Sequence, residues 1–176
     1  MYNNNTLAGA CTSLGSRIIM FNMTDSHLAH SDSCYALSMR ERLMQEAMHV
    51  AKNSYSPYSN FPVGCALLLD TGEIASATNV ENASFGLTMR AERSAVFTAV
   101  AKYGPDVLVS ETVAYASKTT RCNPCGACLS VLHEFGCKFV TTALDDAGET
   151  LETHELCEHF PFGDPGSNKR LKLGKD

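Results

Sequence analysis

Apolar positions recur along this chain first at a helical period and then at a strand period. Between residues 35 and 52, Leu37, Leu43, Met44, Ala47, Met48 and Ala51 share one face of a helix, with polar residues between them. Two prolines in S-Y-S-P-Y-S-N-F-P (54–62) end that helix and make a loop. Residues 63–69 are apolar without a break, the pattern of a strand buried on both faces. D-T-G-E (70–73) predicts a hairpin turn, and residues 74–80 its partner strand. The E-N-A-S-F-G loop leads into a second helix at about 89–103, which Lys102-Tyr103-Gly104-Pro105 stops. A third strand follows at 107–117, then a short helix opened by Pro124 and closed by Gly136, and a fourth strand at 138–143. A D-D-A-G turn, a short strand at 149–153 and a last short helix from Thr153 complete the pattern. This order predicts one α/β domain, a three-layer α-β-α sandwich around a mixed sheet of about five strands.

The two ends lack such periods. Residues 1–34 are rich in Asn, Ser, Thr and Gly and read as an extension without fixed structure, in which His27 and His30 are solvated. Residues 35–165 form the domain, and 166–176 a basic tail. A chain of 176 residues, 44% hydrophobic, is large enough for one core without disulfide staples. Its net charge of −5 argues against a nucleic-acid surface, and no apolar run reaches membrane-spanning length. The eight cysteines are irregularly spaced, and two of them stand in a ligand-like motif. That usage fits a reducing compartment, the cytoplasm.

The chemistry concentrates in T-R-C-N-P-C-G-A-C-L-S (120–130). Cys125 and Cys128 fall in the first turn of the predicted helix, where the positive end of its dipole lowers a thiol's pKa. Thiolates at this spacing can share one zinc ion; a redox dithiol or two buried thiols are the alternatives on spacing alone. Glu92, near the start of the second helix, adds a carboxylate. A zinc-activated water beside a non-ligating Glu is the apparatus of hydrolytic nucleobase deamination, with a ligand-x-Glu element followed by P-C-x-x-C. The second element is intact. In the first, Arg90 stands where the ligand is expected.

The blocks S-P-Y-S-N-F-P-V-G, N-V-E-N-A-S-F, A-E-R-S-A and N-P-C-G-A-C together resemble the small homotetrameric cytidine deaminases, in order and spacing, from about residue 35 to 163. The resemblance implies hydrolysis of cytidine or deoxycytidine to the uridine counterpart and ammonia. It implies Cys125 and Cys128 as two of three zinc ligands and Glu92 as the proton shuttle. Asn79 and Glu81 would hydrogen-bond the ribose hydroxyls, Phe61 would lie against the pyrimidine, and Ala91 would offer backbone to the base. Phe85 and Phe162 would reach a neighbouring subunit's site, and Arg93 would offset the thiolates' charge.

Two departures stand out. Arg90 occupies the third ligand position, and a guanidinium stays protonated with no lone pair for a metal. Leu129-Ser130 follows the C-x-x-C where the family usually has Arg-Gln. Three readings result. The chain is an active deaminase with another third ligand, for which Cys122 is the nearby thiol; or a metal-poor relative that binds nucleosides or assembles; or an altered copy of an ordinary deaminase.

Overall fold

A computed structural model describes residues 17–19, 31–117, 121–161 and 163. One sheet holds β1 (Arg17–Ile19), β2 (Val63–Leu69), β3 (Ile74–Thr78), β4 (Val109–Ala116), β5 (Phe139–Ala143) and β6 (Leu151–Glu155) in the order β1-β6-β5-β4-β2-β3. Among the described residues four helices accompany it: α1 (Ser31–Ala51), α2 (Ala91–Tyr103), α3 (Gly126–Glu134) and α4 (Leu156–His159). Only β4 and β5 are parallel neighbours, and α3 is the crossover that a parallel pair requires.

Side chains alternate across β2. Cys65, Leu67 and Leu69 join α2 and α3 residues such as Ala95, Val96, Ala99 and Leu132 in one core. On the opposite face Ala66 packs with Met39, Leu43, Met44, Ala47 and Ala51 of α1. The sheet is therefore covered on both sides, which makes the three layers. α1 sits close: a Cβ on Gly64 would come within 1.9 Å of the Ala47 carbonyl oxygen.

Several boundaries differ from the sequence reading, each for a local reason. The sheet has a sixth strand, because residues 17–19 of the expected extension pair with β6. α1 starts at Ser31, not 35. β3 stops at Thr78, because Asn79 turns inward and Val80 pairs instead with Met89 and Tyr55. The Asp145 carboxylate accepts from the backbone N–H groups of Glu149 and Thr150, which lengthens that turn and moves β6 on to residues 151–155. Cys125 is the extended residue capping α3, so the helix begins at Gly126. Phe162, His27, His30 and the basic tail lie outside the described residues. Among the described residues, no helix is long and apolar enough to cross a membrane.

Candidate active site

Three segments converge at the N-terminal ends of α2 and α3. The first is the 54–63 loop, held to Asn79 and Glu81. Asn79 is buried, at 7% exposure, and its side chain is already occupied. Its Oδ1 accepts from the Val63 N–H at 2.9 Å and from the Ser54 hydroxyl at 2.6 Å, while its Nδ2 donates to the Phe61 carbonyl at 3.0 Å. Glu81 accepts from the Tyr58 N–H at 2.9 Å, the Ser59 N–H at 3.2 Å and the Ser59 hydroxyl. The Ser59 hydroxyl leads in holding the Glu81 carboxyl below its ordinary value, helped by the two backbone N–H groups. Phe61 is half-buried against the α2–α3 core.

The second segment is the entry to α2. Val80 and Met89 exchange backbone hydrogen bonds of 2.9 Å, so the Asn79–Glu81 stretch is fixed to the residue before Arg90. Ala91 and Glu92 follow in the first turn, both fully buried. A carboxylate there complements the helix dipole.

The third is the loop into α3. The Sγ atoms of Cys125 and Cys128 are 3.6 Å apart. Two thiolates on one tetrahedral zinc at about 2.3 Å would be about 3.8 Å apart, so this pair fits two ligand positions. The rest of a ligand set does not assemble: among the described residues, no three His, Cys, Asp or Glu side chains gather where they could hold a metal. Cys122 is buried, its thiol is pushed up to about 11 by burial and then by Glu92, and it does not join the pair. The position between belongs to Arg90. Its Nη2 donates to Glu92 Oε1 at 3.3 Å and the Asn123 carbonyl at 3.1 Å, and lies 4.0 Å from Cys122 Sγ; its Nε donates to Glu92 Oε2 at 3.4 Å.

The two thiols differ, against the expectation that the helix dipole lowers both. Cys128 is buried, and burial followed by Glu92 pushes it up to about 12. Cys125 is half-buried; burial opposes its ionisation, but hydrogen bonds from the Cys128 N–H and thiol, with Arg90 beyond them, bring it below the usual thiol value. Burial likewise opposes charge on Arg90, but Glu92 and the three thiols outweigh it and raise its pKa. Arg90 is thus the cation beside the thiols. Arg93 instead donates to the Thr88 carbonyl at 3.3 Å, and its Nε is buried without a partner among the described residues. Phe85 is 77% exposed, in a 3₁₀ turn (Phe85–Leu87), edge-on to Tyr58.

Sequence reasoning missed Ser54, Ser59 and Asn123. The two serines lie in the 54–62 loop, but their partners at 79 and 81 are a hairpin away along the chain. It also passed over Cys65, whose buried thiol feels Glu92, Cys128 and Cys122. A cavity of about 560 Å³ opens elsewhere, on the α1 side of the sheet, lined by His49, Lys52 and Tyr115 among others. It holds none of this chemistry.

Comparison with known proteins points the same way as the geometry. A family profile described as the cytidine and deoxycytidylate deaminase zinc-binding region matches residues 37–144. A cytidine deaminase of Halalkalibacterium halodurans is 42% identical over 95 residues, 54% of this chain and 70% of that one. A Dictyostelium discoideum protein named "Probable cytidine deaminase" is 39% identical over 123 residues, 67% of this chain and 83% of that one. The crystal structure of cytidine deaminase from Burkholderia pseudomallei superposes with a TM-score of 0.62 at 32% identity, covering 70% of this chain and 98% of that one.

Proposed function

The chain belongs to the cytidine and deoxycytidylate deaminase family, and from that premise we propose how its own residues carry the reaction. The activity is hydrolytic deamination of a cytidine-type nucleoside, and zinc is the cofactor of the matched region. One observation carries the assignment of the site. Two thiols at metal-sharing distance and a fully buried carboxylate meet where the Asn79–Glu81 stretch is fixed to the start of α2.

The reaction replaces the 4-amino group of the base by an oxygen from water and releases ammonia. Zinc, when bound, supplies activation of that water. Cys125 and Cys128 fit it as ligands and Arg90 does not, so the chain's ligand set is incomplete. Glu92 moves the proton, first to ring N3 and then to the departing ammonia. Glu81 keeps a carboxylate on the 54–63 loop for the ribose hydroxyls. Asn79 holds that loop, with its second Nδ2 hydrogen left for the sugar. Phe61 faces the pyrimidine and the Ala91 backbone the base edge. The Phe61 and Ala91 roles, and that of Phe162, follow the family pattern position by position.

The homotetramer belongs to the same reading. Tyr58, Val80, Phe85 and Leu87 are large apolar side chains left exposed around the site, and the Arg93 Nε is buried without a partner among the described residues. A neighbouring chain would cover the first and meet the second. A site built on free thiols, with Cys65, Cys122, Cys125, Cys128 and Cys137 all reduced, suits the cytoplasm. Cys157, by contrast, is in a disulfide. The domain reading keeps 35–165 as the catalytic unit.

Ammonia release from cytidine and deoxycytidine, with zinc in excess, tests the function. Glu92→Gln is expected to lower the rate by roughly 10²–10⁴, the usual worth of a positioned proton shuttle. No turnover of either nucleoside by the native chain, or full activity in Glu92→Gln, would overturn the reading.

A further inference from the structure

We propose that Arg90 is the resident cation of this site: it ties the start of α2 to the loop before α3 without metal, and it must turn aside for zinc to enter. The inference rests on the deaminase reading of the site and adds how zinc is admitted to it.

Arg90 is the residue capping α2, yet its side chain does no capping. Its guanidinium reaches instead to Glu92 on its own helix and to the Asn123 carbonyl and Cys122 Sγ on the loop that leads into α3. A metal ion held by one residue from α2 and by Cys125 and Cys128 would join the same two segments. The guanidinium makes that link by hydrogen bonds, and its positive charge stands beside the same thiols and the same carboxylate. The group is planar, always charged and rich in donors, which suits it to bridge several acceptors at once. Its side chain remains 34% exposed, so a route out to solvent is open.

Two consequences follow. The fold keeps its cross-link when zinc is absent, and zinc held weakly adds little by mass action, so removing zinc changes stability little. Zinc must also displace a bound cation and then rest on two thiols. A single positive charge left at about 4 Å from a divalent ion, at an effective dielectric near 20, would cost about a millionfold in affinity, so zinc binds only when the guanidinium has turned aside. The site therefore loads with zinc reversibly. Loading and the release of Glu92 from Arg90 are one event, because the same side chain blocks both.

The test uses the full chain purified from zinc-supplemented medium and dialysed against dipicolinate. Zinc per chain is read by mass spectrometry and unfolding by calorimetry, for the native protein, Arg90→Cys and Arg90→Ala. The native chain is expected to lose its zinc with a Tm shift of no more than about a degree. Arg90→Cys is expected to keep close to one zinc per chain and to lose several degrees of Tm when a stronger chelator strips it. Arg90→Ala is expected to unfold several degrees below the native chain before and after chelation. Native protein that retains one zinc through dialysis, or whose Tm falls by several degrees on chelation, overturns the proposal. So does an Arg90→Ala chain as stable as the native one. If Arg90→Cys does not fold, the native chain and Arg90→Ala still decide. Turnover in excess zinc is a separate measurement, so failure of the deaminase reading and failure of this one are told apart.

Discussion

Asn79→Ala separates a sugar contact from a structural hub. The Asn79 side chain accepts from Val63 N and Ser54 Oγ and donates to the Phe61 carbonyl. Alanine removes all three bonds and strands the Val63 N–H, which lies in the core where β2 begins. A stranded buried donor costs about 1–3 kcal/mol, and each lost bond at the half-buried loop about 1 kcal/mol net. The expected destabilisation is about 4 kcal/mol, a large part of the 5–15 kcal/mol typical of a domain. For a chain of this size that is a fall in Tm of roughly 8–16 °C. Asn79→Asp keeps the Oδ1 acceptor but sets a second oxygen against the Phe61 carbonyl, so it should fall between native and Asn79→Ala. Urea unfolding followed by circular dichroism gives both values, and nucleoside KM is measured on the same samples. A KM increase in Asn79→Ala with less than about 1 kcal/mol of destabilisation would refute the hub, leaving Asn79 as a sugar contact alone.

Three further outcomes are expected. Gly64→Ala should destabilise the protein by about 3 kcal/mol or more, because its Cβ would press into the Ala47 carbonyl oxygen and α1 would have to shift; wild-type urea midpoints would show that α1 packs differently. In metal-free protein near pH 7.5, iodoacetamide should label Cys125 well before Cys128, since Cys125 is the thiol held below its usual value and Cys128 is pushed up to about 12; peptide mass spectrometry showing equal labelling contradicts that assignment. Phe85→Ser should weaken the proposed tetramer, seen by sedimentation as smaller species at micromolar concentration; a native chain that sediments as a stable monomer removes the assembly reading altogether.

How far the sequence could be read depended on the range of the interaction. The α1 face and the continuous apolar run of β2 are local signals, and both appear where the periods place them. The C-x-x-C pair and Glu92 were legible as chemistry because each sits near a helix start that Pro124, or the E-N-A-S-F-G loop, announces. What stayed hidden depends on partners far along the chain. β1 is three residues that count as strand only because β6 lies beside them. Asn79 reads as a polar loop residue until Val63, Ser54 and Phe61 are placed around it. The thiols looked equivalent in the helix, yet burial and then Glu92 push Cys128 up, while at Cys125 hydrogen bonds and Arg90 outweigh burial.

Arg90 and Glu92 are best understood as one unit. Glu92 has no exposed surface, and among its described contacts only Arg90 offers it hydrogen bonds. Removing one partner of such a pair usually costs about 3–5 kcal/mol when both are buried. Arg90 is one-third exposed and water can reach the cavity it leaves, so about 1–2 kcal/mol is the more reasonable figure for Arg90→Ala. Much of that cost is a carboxylate left without a counter-charge, so Glu92→Gln should relieve it. A double-mutant cycle on metal-free protein should then give a coupling energy of about 1 kcal/mol or more, with Arg90→Ala costing less in the Glu92→Gln background. Strict additivity would mean that the guanidinium stabilises the site through Asn123 and Cys122 alone. In that case zinc could enter without freeing Glu92, and metal loading and proton transfer would be independent.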